Sequence, residues 1–319
     1  MRAGEVLLEV VRNEMVESIH NGHLLILDSS GNDLLKLGDV DELIYPRSAV
    51  KSLQASAMLR AGLKVSGPQL ALTCASHAGS QAHLDVALSI LRGAGVDENA
   101  LRNTPDKPLD PKERAAWGDK APTSLAANCS GKHSAMVATC VANGWDLEGY
   151  KKADHPLQRA IAAEFEKLSG EKITKVGVDG CGAALFAISL RALANAVRNL
   201  TLSNEPIHQE VVNACRNNPV MVSGIGRLPT LLMQKVNEVI SKYDAIICPS
   251  RGVEGNQAAI TNLTGHPVVC VPTGFDSKFN MPTGITFVGN LYDEGSILSI
   301  AKAYQDHTNW DKQHPALFK

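Results

Sequence analysis

Two textures divide this chain, and they restrict its fold more than any other feature. Through most of its length apolar residues recur at helical spacing; past about residue 243 they gather into short β-rich runs cut by proline. Val50, Leu53, Ala57, Met58 and Ala61 predict a helix that begins at Ser48 and stops at Gly62. Leu84 to Leu91, Lys132 to Ala142 and Pro156 to Leu168 predict three more helices, and an alanine-rich stretch from Ala183 to Leu200 a fourth, entered from Gly177, Gly180 and Gly182. Leu24 to Leu27 and Leu34 to Leu37 flank Ser29, Ser30, Gly31 and Asn32, which is hairpin chemistry. The later runs, Ala245 to Cys248, Val268 to Val271 and Ile285 to Val288, lie among Pro249, Pro267, Pro272 and Pro282 and read as buried strands. A last helix, Glu294 to Asp306, sets Ile297, Leu298, Ala301 and Tyr304 on one face. Lys107 to Lys120 reads as a surface loop, and Leu70 to Leu72 as a strand with Ser76 near its end. The class expected is α/β.

Composition removes several functions. At 319 residues and 44% hydrophobic, the chain can bury a core without disulfide or metal staples. Lys+Arg 31 against Asp+Glu 33 leaves a net charge of -2, too little positive field to hold nucleic acid. Arg2, Glu5, Glu9, Arg12, Glu14 and Glu17 interrupt the opening segment, so no export signal is expected, and no apolar run suits a membrane span. Seven scattered cysteines do not form a disulfide framework; reduced thiols and a cytoplasmic location are the expectation.

Chemistry concentrates at a few places. Ser48 and Lys51 have SxxK spacing, which on a helix puts both side chains on one face. Lysine can deprotonate a serine only if burial or a neighbouring cation lowers its pKa. By itself the spacing equally fits a helix cap and a solvated lysine, the commoner arrangement. Ser76, in the run Cys74 to His77, suits a cap or a nucleophile, and His83 reads as structural. Two dense polar clusters follow, Asn128 to His133 and Gly177 to Gly182. Each contains a cysteine, so they could share a thiophilic metal, although buried packing is the commoner fate of such thiols.

Taken together, RSAVK (Arg47 to Lys51), CASH (Cys74 to His77), NCSGKH (Asn128 to His133), ADHPLQ (Ala153 to Gln158), GVDGCG (Gly177 to Gly182) and NPVMVSGIGR (Asn218 to Arg227) resemble the rhizobial-type L-asparaginase II family over about residues 1–235. That resemblance implies a fold similar to serine β-lactamases and glutaminases, with an α/β part and a helical part. It implies a serine amidohydrolase that converts L-asparagine to aspartate and ammonia. Ser48, Lys51 and Ser76 match its catalytic residues; Arg47, Asp179 and His133 match polar residues at the substrate pocket. Cys129, Lys132 and Cys181 match a zinc site that tunes substrate affinity rather than carrying the chemistry. A homodimer is compatible with the resemblance.

The chain then departs from that family. YDAIICPS (Tyr243 to Ser250), TNLTGHPVVCVPTGF (Thr261 to Phe275) and MPTGITFVGNLYDE (Met281 to Glu294) are similar to the C-terminal portion of amidase-signature enzymes, giving a second region over 236–319. Gly252, Val253, Glu254 and Gly255 resemble an asparaginase turn, but Ser250 and Arg251 precede it where the family has a lysine, and Lys242 is the nearest one. No Gly/Ser-rich amidase signature is present in the sequence. The alternatives to asparaginase are therefore a broader amidase and an inactive asparagine-binding protein. Without the family's closing strands, an open sheet edge is expected.

Overall fold

The structure is a computed structural model that describes residues 4–28, 30–240, 245–249, 268–275, 282–289 and 294–312. It is mixed helix and strand, the α/β class that the sequence predicts. The chain divides into two compact units, Met1–Arg227 and Leu228–Lys319. Among the described residues no helix is long and apolar enough to cross a membrane.

The first unit opens with an antiparallel ribbon, β1 (Glu5–Arg12) against β2 (Met15–Gly22), that the helical reading of the sequence misses. The predicted hairpin follows as β3 (Leu24–Leu27) and β4 (Asp33–Leu37). Its turn is drawn in by the Asp28 carboxylate, which accepts from the Ser30 and Asn32 N–H groups at 2.8 Å each; Ser29, part of the same prediction, lies outside the described residues. β5 (Leu43–Ile44) pairs across the sequence with β8 (Ile188–Ser189), and β6 (Val176–Val178) pairs with β7 (Ala184–Phe186). Among the described residues β6 has β7 as its sole strand neighbour, and Val178 is 75% exposed, so the expected open edge is present there.

A helical layer carries the core. A 3-10 turn, Arg47–Val50, runs into α1 (Lys51–Arg60), so the predicted helix is there but Ser48 sits in the tighter turn ahead of it. α2 (Gly67–Thr73) replaces the strand expected at Leu70 to Leu72: proline in the first turn starts a helix at no hydrogen-bonding cost, and all three residues are buried on it. α3 (Gln81–Gly93) contains the predicted Leu84 to Leu91. The stretch Lys107 to Lys120 is not all loop, because Asp110 accepts from the Lys112 N–H at 2.9 Å and caps α4 (Pro111–Trp117). α5 (Ser130–Asn143) and α6 (Pro156–Ser169) end at Gly144 and Gly170, whose φ of 65° and 73° allow the left-handed stop. The helix expected from Ala183 starts only at Leu190, as α7 (Leu190–Leu202), since 183–189 are buried and mostly taken up by β7 and β8. α8 (Pro206–Asn217) and the short α9 (Pro219–Val222) close the unit.

α5 is the centre of this layer: Ser130 to Cys140 are all buried. Small side chains permit it, and Gly131 is the tightest point. A Cβ there would lie 2.5 Å from Leu72 O and 2.6 Å from Leu72 Cγ. Gly131→Ala is therefore expected to lower stability by ~1–3 kcal/mol, the usual range for forcing atoms into a packed core. Urea unfolding of both proteins measures it, and an unchanged midpoint would show that α2 can move away freely.

The second unit contains α10 (Leu228–Ile240) and an antiparallel sheet in the order β10-β11-β9, from β9 (Ala245–Pro249), β10 (Val268–Phe275) and β11 (Pro282–Gly289). The three predicted strands are thus all found. α11 (Glu294–Asp306) covers β10 and β11, with Val271, Phe287 and Ala301 at the centre of a small core. Ile297 and Ala301 face inward as predicted, whereas Leu298 is 57% exposed. Lys242, Ser250, Arg251 and Gly252 to Gly255 lie outside the described residues.

Candidate functional site

Lys51 is the first residue of α1 and only 3% exposed. Its Nζ lies 2.5 Å from Ala75 O and 2.9 Å from Ser76 Oγ. Those partners arrive because α2 ends at Thr73, where the Ala75 N–H still bonds Leu72 O before the chain turns outward. Burial lowers the Lys51 pKa to about 8, and the nearby Lys132 ammonium adds to the effect against the opposing pull of Cys129, Cys181 and Asp179. The condition that the sequence sets for a lysine base is met here. Its hydrogen-bonded serine, however, is Ser76, while Ser48 is exposed in the 3-10 turn.

A cavity of about 270 Å³ opens beside these residues, and Ser48, Arg47, Asn128 and Asp179 are among its lining. Arg47 has φ 49°, a left-handed conformation that costs about 1–3 kcal/mol in a residue with a Cβ. Its guanidinium Nη2 meets Asp179 Oδ1 at 3.1 Å. Asp179 belongs to the tip between β6 and β7, where the Gly182 N–H bonds Asp179 O at 2.8 Å and Gly182 adopts φ 84°. The glycine cluster therefore makes a hairpin tip, not the helix entrance expected.

The same tip presents Cys181. Cys129, at the N-cap of α5, comes from the opposite side, and Lys132 Nζ lies 3.3 Å from Cys181 Sγ. The Cys129 thiol, the Cys181 thiol and a His133 ring nitrogen have ligand atoms within 4.8 Å of one another. Hydrogen bonding from Cys129 holds the Cys181 pKa below the usual thiol range, with His133 and Lys132 helping, while the same bond and burial push Cys129 up. One thiolate facing a lysine ammonium is the resulting state.

His133 is fully buried and is not among the residues lining the cavity, so it stands behind the thiols rather than at the expected substrate position. Its Nδ1 lies 2.8 Å from Tyr150 Oη, and burial lowers its pKa to about 4, keeping the ring neutral. Nε2 has no hydrogen-bond partner among the described residues. With the proton on Nδ1, a bare Nε2 lone pair is left for the thiol cluster. Tyr150 is a participant that sequence reading overlooks, because a lone tyrosine carries no spacing signal. Thr104 is another: its N–H bonds Cys181 O at 3.2 Å and fixes the hairpin tip.

Comparison with known proteins adds two findings. The L-asparaginase II family model matches residues 8–263, further along the chain than the resemblance alone suggests. Curated relatives match a smaller segment, and three of them are glutamyl-tRNA(Gln) amidotransferase subunits. The protein from Legionella pneumophila (strain Corby) is 34% identical over 84 residues, 26% of this chain and 15% of its own length. That from Streptococcus gordonii is 31% identical over 110 residues, covering 29% and 22%, and that from Alcanivorax borkumensis is 47% identical over 55 residues, covering 17% and 11%. The chain thus spans under a quarter of these curated relatives, in keeping with the amidase-signature resemblance of its C-terminal part.

Proposed function

The chain belongs to the L-asparaginase II family, and from that premise we propose that it is an amidohydrolase of L-asparagine, working through a serine and Lys51 on a serine β-lactamase-like scaffold. The observation that carries the reading is the buried Lys51 amine, placed 2.9 Å from Ser76 Oγ with its pKa lowered to about 8. Ser48, exposed in the cavity wall, supplies the attacking hydroxyl. As its oxygen bonds the side-chain amide carbon, Lys51 takes its proton; the amine then passes that proton to the departing nitrogen, and ammonia leaves. Water, deprotonated by the same lysine, cleaves the acyl-enzyme and releases aspartate. Ser76 and Ala75 O orient the amine meanwhile.

Arg47 and Asp179 suit the two charges of an amino acid. In the free protein they pair with each other, and substrate carboxylate and ammonium would exchange into that pair. Zinc is the cofactor proposed: Cys129, Lys132 and Cys181 would hold it, and the unpartnered His133 Nε2 fits the same donor set. When bound it supplies fixed positive charge beside the cavity, which would favour the neutral form of Lys51. A second reading makes Ser76 the nucleophile, favoured by its direct contact with the amine.

Ammonia release from asparagine, glutamine and a set of simple amides tests the activity. Asparagine is expected to be turned over first and fastest. Equal or better hydrolysis of the simple amides would point to a broad amidase, and thermal stabilisation by asparagine without ammonia would point to an inactive binder.

A further inference from the structure

Ser76 meets Lys51 only while the extended segment after α2 keeps its place, and the next residue makes the contacts that hold it. His77 is fully buried. Its backbone N–H donates to Asn128 O at 3.0 Å, and its ring Nε2 lies 3.0 Å from Ser130 Oγ. The His83 ring stacks on it, with centroids 5.1 Å apart and planes 14° from parallel. His83 is fixed in turn by Ser80 Oγ at 2.7 Å and Val220 O at 3.0 Å. One residue on, the Ala78 N–H donates to Ser223 O at 2.8 Å.

These contacts join the Ser76 segment to Asn128 and Ser130, the two residues on either side of Cys129. An imidazole is a costly way merely to fill buried space, because each ring nitrogen loses water. His77 Nδ1 has no hydrogen-bond partner among the described residues. With the proton on Nε2, the ring donates to Ser130 and leaves no N–H unpaired. Burial, His83 and Lys51 all keep that ring neutral.

We propose that His77 is a positioning residue for the hydrolysis: acting through Ser130 and Asn128, it fixes Ser76 Oγ against the Lys51 amine. It touches neither substrate nor reacting atoms, and the assignment rests on the reading of Lys51 as the base. Glutamine in its place keeps a terminal N–H able to reach Ser130, whereas leucine fills the space without one.

Two readouts test this on the full chain: kcat and KM for asparagine, and the rate at which a small fluorophosphonate labels the site serines, followed by peptide mass. Labelling needs an activated serine but no asparagine, so a wild-type protein that labels yet releases no ammonia would sink the asparaginase reading alone. His77→Leu is expected to lose about 100-fold in kcat and labelling rate with KM little changed, the scale of an ångström-sized misplacement. His77→Gln should stay within about tenfold of wild type, and Ser130→Ala should lose about as much as His77→Leu, with the double variant no worse. Labelling unchanged in His77→Leu, or equal losses in His77→Gln and His77→Leu, would overturn the proposal. If His77→Leu does not fold, the contrast between His77→Gln and Ser130→Ala decides: loss in the second alone supports the role, and equal loss overturns it.

Discussion

Replacing Lys51 with methionine is expected to abolish ammonia release while leaving the protein folded. Loss of a positioned base costs about 10²–10⁴-fold, and Lys51 also returns its proton to the leaving nitrogen, so the upper end applies. Stability should respond differently. A lysine whose pKa falls from 10.5 to about 8 destabilises the fold by about 3 kcal/mol below pH 8, where the buried amine is charged. That cost fades as pH rises from the folded value toward the unfolded one. Methionine removes it but leaves Ala75 O and Ser76 Oγ without the amine, at roughly 1–3 kcal/mol each. The two effects nearly cancel, so the melting temperature should move by only a few degrees. In the wild type, kcat/KM should climb as pH passes about 8 and Lys51 becomes neutral, with Lys132 adding to the downward shift and Cys129, Cys181 and Asp179 opposing it. Appreciable turnover in Lys51→Met, or a wild-type profile flat between pH 7 and 9, would remove lysine from the chemistry.

How much of this is legible in the sequence depends on how local the cause is. Helices with an amphipathic stripe and a glycine stop, such as Pro156–Ser169, are written in consecutive residues. So is the last helix, Glu294–Asp306. α2 escapes such a reading because Leu70 to Leu72 is a short, fully buried run with no periodicity to expose, and the informative residue is Pro68 just before it. Ala184–Phe186 escapes it for the opposite reason: its alanine-rich surroundings favour a helix, but pairing with Val176–Val178 outweighs that preference. At the site, residue types are visible in the sequence and their partners only in the fold. SxxK spacing places Lys51 beside Ser48, yet the amine bonds a serine 25 positions away. Likewise His133 matches a pocket residue in sequence, while its position within α5 turns it toward Tyr150 and the thiols. Spacing along one helix determines which side chains share a face; it does not determine what that face meets.

Ser48→Ala and Ser76→Ala should therefore differ in kind. Both serines are close to the chemistry, but one is exposed in the cavity wall and the other is half-buried on the lysine. An attacking oxygen must approach the substrate carbon and leave it again, which suits Ser48; an oxygen that orients the amine must stay bonded to it, which suits Ser76. Losing the nucleophile removes the covalent route altogether, so Ser48→Ala is expected to lower kcat by as much as roughly 10⁶-fold, as for nucleophiles acting as part of a unit. Ser76→Ala leaves that route intact with a less well-held base, and about 100-fold is the expected loss. Rapid acid quench during turnover, followed by peptide mass analysis, separates the two directly. A β-aspartyl adduct should appear on the peptide containing Ser48 in the wild type, persist in Ser76→Ala and vanish in Ser48→Ala. An adduct on the Ser76 peptide would exchange the roles of the two serines while leaving Lys51 as the base that serves them.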